Sequence, residues 1–301
     1  MQTCAEAKAK PFIKWVGGKR QLIEQLENLL PSDFDEWNDV RYIEPFVGGG
    51  AMLFHILRRH RNITSAVIND INADLMKCWI AVRDYPEKLI KSLKAIEDKY
   101  FSWTAEEDKR AFYYQIRDCF NEGQQDAVEQ SVLFMFLNRT CFNGLYRVNR
   151  QGRFNVPFGR YKRPRICDAE TILADSCMLS GVEIMSGDFW ETGKRIKGKT
   201  FFYIDPPYRP LNATSSFNDY AKEDFDDDAQ RRLKRFCDNL DRDGIKFMLS
   251  NSDCLGKDGK DRFFDDLYRN YRINRVWAAR NVSANPAKRG KLTEIVVENF
   301  R

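Results

Sequence analysis

A chain of 301 residues, 43% of them hydrophobic, is long enough to bury an ample core in one large domain or two. The formal charge of +5 admits a polyanionic partner without requiring one. No apolar run approaches the roughly 18 residues of a membrane helix. The eight cysteines form no C-x-x-C pair, and the only histidines, His55 and His60, are five apart and off one helical face. No zinc-type or other metal site is therefore expected, nor a serine or cysteine hydrolase assembly. Free thiols and the lack of a charged-then-apolar leader point to the cytoplasm.

Residues 1–10 are small and charged and are expected to fray. Pro11-Phe-Ile-Lys14-Trp15-Val-Gly17-Gly18-Lys19 then leads into a helical repeat at Leu22, Ile23, Leu26, Leu29 and Leu30. Paired glycines ahead of a helix allow close backbone approach and leave amides for an anion. A cation at a helix start opposes the dipole, so Lys19 reads as facing a carboxylate or phosphate. A plain turn with a lysine reaching to solvent is the blander alternative.

Arg41 to Phe46 reads as the first strand, Val47-Gly48-Gly49-Gly50 as a tight turn, and Met52, Leu53, Ile56 and Leu57 as the inner face of a helix. Strand, glycine turn and helix open a nucleotide-binding, doubly wound sheet, which puts Gly48 at the ligand. The spacing is not G-x-G-x-x-G, so a dinucleotide is not implied. A second strand, Ser65 to Ile68, leads to Asp70, placed about 20 positions past the turn for a ribose diol. Capping of the next helix is the alternative for Asp70.

From about residue 75 the period becomes helical, over 80–100, 111–120 and 128–137, with Pro86 at the first position of one helix. This reads as an inserted lobe. It ends in a segment whose alternation around Gln151-Gly152 predicts a β-hairpin. Between Arg147 and Arg165 lie seven basic residues and no acidic one, interleaved with Asn, Phe and Tyr. A β-ribbon fits the major groove, where Arg reads guanine and Asn reads adenine, while further cations meet phosphates. Nucleic-acid contact is what this pattern fits, against the alternative of a solvated basic loop.

The sheet resumes with Val182 to Met185, followed by Asp188 and Phe189, and with Thr200 to Ile204. Acidic residues 223–228 precede a helix over 230–240 and read as capping. Lys246 to Ser250 is a further strand, and Tyr271 to Trp277 with Leu292 to Phe300 form a closing antiparallel pair. The polar, basic stretch between them is a second DNA contact or a solvated loop.

Asp205-Pro206-Pro207-Tyr208 follows the strand that ends at Ile204. Two prolines stiffen the loop and extend the residue before each. Its position at a strand's carboxyl end is where open α/β sheets bind ligands. It offers a carboxylate (Asp205), a carbonyl (Pro206) and an aromatic face (Tyr208), a set suited to a planar ring bearing an amine. The tetrapeptide alone does not choose between adenine and cytosine.

Taken together, Pro11-Phe-x-Lys-Trp-x-Gly-Gly-Lys19, Glu44-Pro-Phe-Val-Gly-Gly-Gly50, Asn69-Asp70, Asn143-Gly-Leu-Tyr-Arg147, Phe154-Asn-Val-Pro-Phe158 and Asp205-Pro-Pro-Tyr208 resemble a Dam-type DNA adenine-N6 methyltransferase of the D12 class, GATC-modifying subgroup. The resemblance covers nearly the whole chain. It implies an S-adenosylmethionine-dependent methyltransferase fold: a Rossmann-like, mostly parallel sheet with a C-terminal antiparallel pair. The catalytic domain would be residues 1–75 and 166–301, and the inserted target-recognition domain residues 76–165.

The resemblance further implies that S-adenosyl-L-methionine contacts Trp15, Lys19, Asp70 and Asp205, with Asp188 and Phe189 near its adenine. Phe142, Asn143, Leu145, Arg147 and Pro157 would meet the target site, with Arg147 reading guanine. Asp205 and Pro206 would accept the hydrogens of the target amine and Tyr208 would stack on its ring. The base must be flipped from the duplex to get there. Neither a metal nor a covalent intermediate is implied. A monomer is expected, either beside a cognate restriction endonuclease or solitary. The rivals are an enzyme acting on cytosine N4 or on RNA, a catalytically silent DNA-binding regulator on the same fold, and, least of all, a nicotinamide oxidoreductase.

Overall fold

β4 (Thr200–Ile204) is buried at every position and lies at the middle of the sheet. An uninterrupted apolar run of this kind suits a parallel strand covered on both faces. In the computed structural model, which describes residues 8–17, 19–209, 225–255, 261–279 and 291–300, β4 is joined by six others. They are β1 (Val40–Glu44), β2 (Ile63–Ile68), β3 (Glu183–Ile184), β5 (Lys246–Ser252), β6 (Arg272–Ala279) and β7 (Lys291–Glu298). The order is β3-β2-β1-β4-β5-β7-β6. β1 to β5 pair in parallel, and β7 runs antiparallel to both β5 and β6. This is the mixed α/β sheet expected, consistent with an S-adenosylmethionine-dependent methyltransferase fold. The direction of winding changes between β1 and β4, the position at whose carboxyl ends open α/β sheets bind ligands.

One face of the sheet is covered by α8 (Asp227–Arg242) and α9 (Phe263–Leu267). Asp226 caps α8 by accepting from the Ala229 amide, as the acidic run predicts. The other face carries α1 (Ile23–Glu27), α2 (Ala51–Arg59) and α3 (Ala73–Asp84). α2 starts from Gly50 at φ 71°, where a Cβ would stand 2.4 Å from the Trp79 ring. Both the left-handed backbone and the packing therefore demand glycine there.

Beyond α3 lie α4 (Pro86–Ser102), α5 (Glu106–Glu122), α6 (Ala127–Thr140) and α7 (Ala169–Leu179). Pro86 opens α4 as expected, and separates it from α3. α6 is apolar around most of its circumference and is packed by α3, α4 and α5, as such a helix must be. One apolar core runs without interruption from the sheet through Trp79, which meets Phe12 at 4.9 Å and Phe54 at 5.6 Å, into these helices.

Three expectations need correction. The hairpin is confined to one bridge: Val148 faces Phe154, with the Asn149 amide donating to the Arg153 carbonyl at 2.9 Å and the Asn155 amide to the Arg147 carbonyl at 3.0 Å, and Cys141 with Phe158 is a second isolated antiparallel bridge. Side chains of α5 bind the backbone groups of the second arm that face away from the first. Asn121 exchanges two hydrogen bonds with Phe154, at 2.7 and 3.0 Å, and the Tyr113 hydroxyl donates to the Val156 carbonyl at 2.7 Å. Residues 8–10 are not frayed, since Ala9 is fully buried and the Lys10 amide donates to Asp175 Oδ1 at 2.9 Å; residues 1–7 lie outside the described residues. His55 and His60 do converge, because α2 ends at Arg59 and His60 turns back. Their Nε2 atoms lie 2.8 and 3.1 Å from the Glu27 carboxylate. No group of His, Cys, Asp and Glu among the described residues is arranged to hold a metal. No described helix is long and apolar enough to cross a membrane.

Candidate active site

Lys19, only 4% exposed, places Nζ 3.0 Å from Asp205 Oδ1 and 2.9 Å from Glu294 Oε2. The same Glu294 oxygen accepts the Tyr208 hydroxyl at 2.5 Å, and Lys19 Nζ stands 4.2 Å over the Tyr208 ring. The lysine thus faces carboxylates, as its place before α1 predicts. Glu294 carried no signal in the sequence: it is one polar position of β7, 275 residues from its partner Lys19. Burial pushes the Asp205 carboxyl up to about 6. The Lys19 ammonium limits that rise, while the Glu294 charge adds to it. Beneath, Glu44 at the end of β1 is 2% exposed and receives the Tyr42 hydroxyl at 2.9 Å. Burial drives its carboxyl well above the usual range, with the Asp205 charge adding to the effect.

The loop after β4 is held from below. Gln230 Nε2 donates to the Pro207 carbonyl at 3.3 Å, and Asn251 Nδ2 donates to Gln230 Oε1 at 3.1 Å. Both side chains are fully buried. Arg209 forms ion pairs with Asp227 at 2.6 Å and Asp261 at 2.5 Å. Sequence reading missed these supports, because Gln230 and Arg209 find their partners only once β5 and α8 are packed.

On the β1–β2 side, Asp70 accepts the Gly48 amide at 3.1 Å and the Asn72 amide at 3.0 Å. Asn72, not Asp70, caps α3 by accepting from Leu75. Burial raises the Asp70 carboxyl while these amides pull it back. Asn69 ties the loop ends together, donating to the Pro45 and Gly187 carbonyls at 3.0 and 2.9 Å. A Cβ on Gly48 would lie 2.7 Å from Trp15 Cδ1, so the turn is also built to receive Trp15. Trp15 stacks on Tyr146 at 5.7 Å. Gly18 lies outside the described residues.

Asp188 and Phe189 reach the same rim through Gly187, whose amide donates to the Asp70 carbonyl at 3.1 Å. Asp188 is held by both arms of Arg232, at 2.6 and 2.8 Å, which keep its carboxyl below the usual range. Phe189 is buried beside Phe46, Phe225 and Phe236, with Arg232 4.7 Å over its ring. Arg232 was not anticipated.

These residues fit S-adenosylmethionine. An ionised carboxylate has about four acceptor positions, so Asp70 keeps capacity for a diol beside its amide partners. Phe46 and Trp15 are only partly buried and offer flat faces, and Asp205 and Glu294 would supply negative charge to a sulfonium bound beside them.

Of the residues expected at the target, Phe142 and Asn143 are exposed, with Asn143 in the left-handed region at φ 56°. Leu145 is half-buried, and exposed Pro157 accepts the Phe142 amide at 2.8 Å. Arg147 is engaged by Asn155, through Nε to Oδ1 at 2.7 Å. Two residues of the basic segment meet carboxylates, Arg160 near Glu106 on α5 at 3.5 Å and Arg165 near Asp168, three residues on, at 2.8 Å. The stretch expected as a second DNA contact, 280–290, lies outside the described residues.

Sheet order defines an α/β fold that gathers Asp205, Glu294, Glu44 and Asp70 about the carboxyl ends of β1, β2 and β4. The sequence model of the D12 class N6 adenine-specific DNA methyltransferases matches residues 15–282. A type II methyltransferase of Methanocaldococcus jannaschii, M.MjaIII, is 44% identical over 97% of this chain and 99% of its own length. M1.LlaDCHI, a type II methyltransferase of Lactococcus lactis subsp. cremoris, is 38% identical over 97% and 95%. A DNA adenine methylase of Vibrio cholerae is 32% identical over 96% and 95%. The chain belongs to the D12 class of N6 adenine-specific DNA methyltransferases. Membership implies S-adenosylmethionine as the methyl donor and DNA as the substrate.

Proposed function

We propose that the enzyme methylates adenine N6 within GATC in duplex DNA, after flipping the base into the crevice at the end of β4. The observation that carries the reading is the cluster of Asp205, Lys19 and Tyr208 at that strand end. S-adenosylmethionine, when bound, supplies an electrophilic methyl group. The chain's part is placement. Asp205 and the Pro206 carbonyl accept the two N6 hydrogens, which turns the nitrogen lone pair out of the ring. Tyr208 lies against the base, on a loop whose Pro206 is buried. Asp205, held at about 6, is placed to take the proton that N6 sheds. Positioning of this kind supplies a large part of the rate.

Residues 76–165 act as the target-recognition domain, and 1–75 with 166–301 as the catalytic domain. Phe142, Asn143, Leu145, Arg147 and Pro157 meet the site, Trp15, Lys19, Gly48, Asp70, Asp188, Phe189 and Asp205 hold the donor, and the catalytic set is Asp205, Pro206 and Tyr208. Support for GATC is the likeness of the 143–147 and 154–158 segments to the recognition element of that subgroup. The enzyme acts as a cytoplasmic monomer, beside a cognate restriction endonuclease or alone, and neighbouring genes separate those two roles. Methylation of duplexes with and without GATC, scored by a methylation-sensitive nuclease, tests the assignment.

A further inference from the structure

We propose that Glu294 is a positioning residue for methyl transfer: its carboxylate fixes the Tyr208 ring and shares the Lys19 charge with Asp205. The inference rests on the catalytic reading of the β4 loop.

Glu294 side-chain exposure is 15%, and Oε2 alone receives both Lys19 Nζ at 2.9 Å and the Tyr208 hydroxyl at 2.5 Å. Strand geometry fixes where the carboxylate points. Glu294 sits in β7 opposite Ser252 of β5 and Val276 of β6, inside the sheet. A hydroxyl held at its tip leaves an aromatic ring little freedom to turn. Without Glu294, Tyr208 would have no hydrogen-bonded anchor on this side, and its face would meet a flipped base at variable angles.

The second effect is electrostatic. One ammonium lies within 3.0 Å of two carboxylates, so neither receives its full attraction. Around Asp205 the titratable neighbours are Lys19 from the segment before α1, Glu44 and Tyr42 of β1, Tyr203 of β4 and Glu294 of β7. The nearby arginines are already committed, Arg209 to Asp227 and Asp261, and Arg275 to Asp253 and Asp265. Among the described residues, Lys19 is therefore the cation whose sharing decides how readily Asp205 takes up a proton. Removing the charge on Glu294 gives Lys19 wholly to Asp205 and lowers the pH at which Asp205 ionises.

Two variants of the full-length enzyme separate the effects. Glu294→Gln keeps an oxygen for Tyr208 and Lys19 but removes the charge. Glu294→Ala removes both. With duplex DNA and S-adenosylmethionine, Glu294→Ala is expected to lower kcat roughly tenfold or more, with KM for both substrates little changed. Glu294→Gln is expected to lose less and to move the acid limb of the kcat–pH profile down by roughly half a unit or more. A wild-type kcat in both variants overturns the proposal. So does an unmoved acid limb in Glu294→Gln, which would reduce Glu294 to a structural role. Asp205→Ala is run alongside: if it still methylates, the catalytic reading falls and the proposal with it. If it is inert while the Glu294 variants behave as wild type, the proposal alone fails.

Discussion

Asn138 clips Lys14 from both sides: the Lys14 amide donates to Asn138 Oδ1 at 2.9 Å, and Asn138 Nδ2 donates to the Lys14 carbonyl at 2.8 Å. The same Nδ2 donates to the Gly144 carbonyl at 3.0 Å, and the side chain is 3% exposed. One buried amide thus joins the segment bearing Trp15 and Lys19 to the turn bearing Asn143 and Leu145. Asn138→Ala leaves these backbone groups unpaired and is expected to cost about 1–3 kcal/mol of stability. It should also blunt discrimination between GATC and duplexes altered at one base. Denaturant unfolding and methylation of the two duplex types check both effects; unchanged discrimination would leave Asn138 a purely structural clamp.

Asp205→Ala removes the acceptor for the target amine and one of the two carboxylates on Lys19. Methyl transfer is expected to fall by roughly 100-fold or more, with DNA affinity near wild type because the basic segment is untouched. Single-turnover methylation and a gel-shift titration measure the two separately. A loss confined to DNA binding would contradict the assignment of Asp205.

The pH dependence of the chemical step follows from the same carboxylate. Its folded value, about 6, lies above the ordinary 3.8, and the ionised form is the acceptor. The single-turnover rate should therefore rise through pH 6 and level off above it. An inflection near the ordinary value would mean that Lys19 outweighs burial.

Asp175 offers a stability test away from the site. It is fully buried, Oδ2 has no hydrogen-bond partner, and burial pushes the carboxyl up to about 8. The unfolded chain loses this proton near the ordinary 3.8, while the folded chain keeps it to about 8. Stability from this group should thus fall as pH rises between those values and change no further above them. Asp175→Asn keeps an acceptor for the Lys10 amide and removes the penalty. Urea unfolding should show a gain on the order of 1 kcal/mol or more at pH 8 and little at pH 4. Equal effects at both pH values would contradict it.

The sheet was legible because its strands are short apolar runs ending in glycine, Asp or Pro, and the lobe because its period changes at about residue 75. Lys19 was legible because a cation at a helix start needs a reason. Glu294, Gln230, Arg232 and Asn138 were not, since each acts through a partner far away in the chain and looks locally like an ordinary polar position. The hairpin was legible only in part: its arms pair around the Val148–Phe154 bridge, while the outward backbone groups of Phe154 and Val156 go to Asn121 and Tyr113 of α5, partners that alternation does not reveal. Helical spacing misled for His55 and His60 because α2 stops between them.

The most direct measurement is the identity of the methylated base. The purified enzyme is incubated with S-adenosylmethionine and matched duplexes containing or lacking GATC, and the DNA is digested to nucleosides and resolved by mass. The expected product is N6-methyladenine, formed in the GATC duplex alone. Methylcytosine, equal N6-methyladenine in both duplexes, or labelling of RNA instead of DNA would contradict the account.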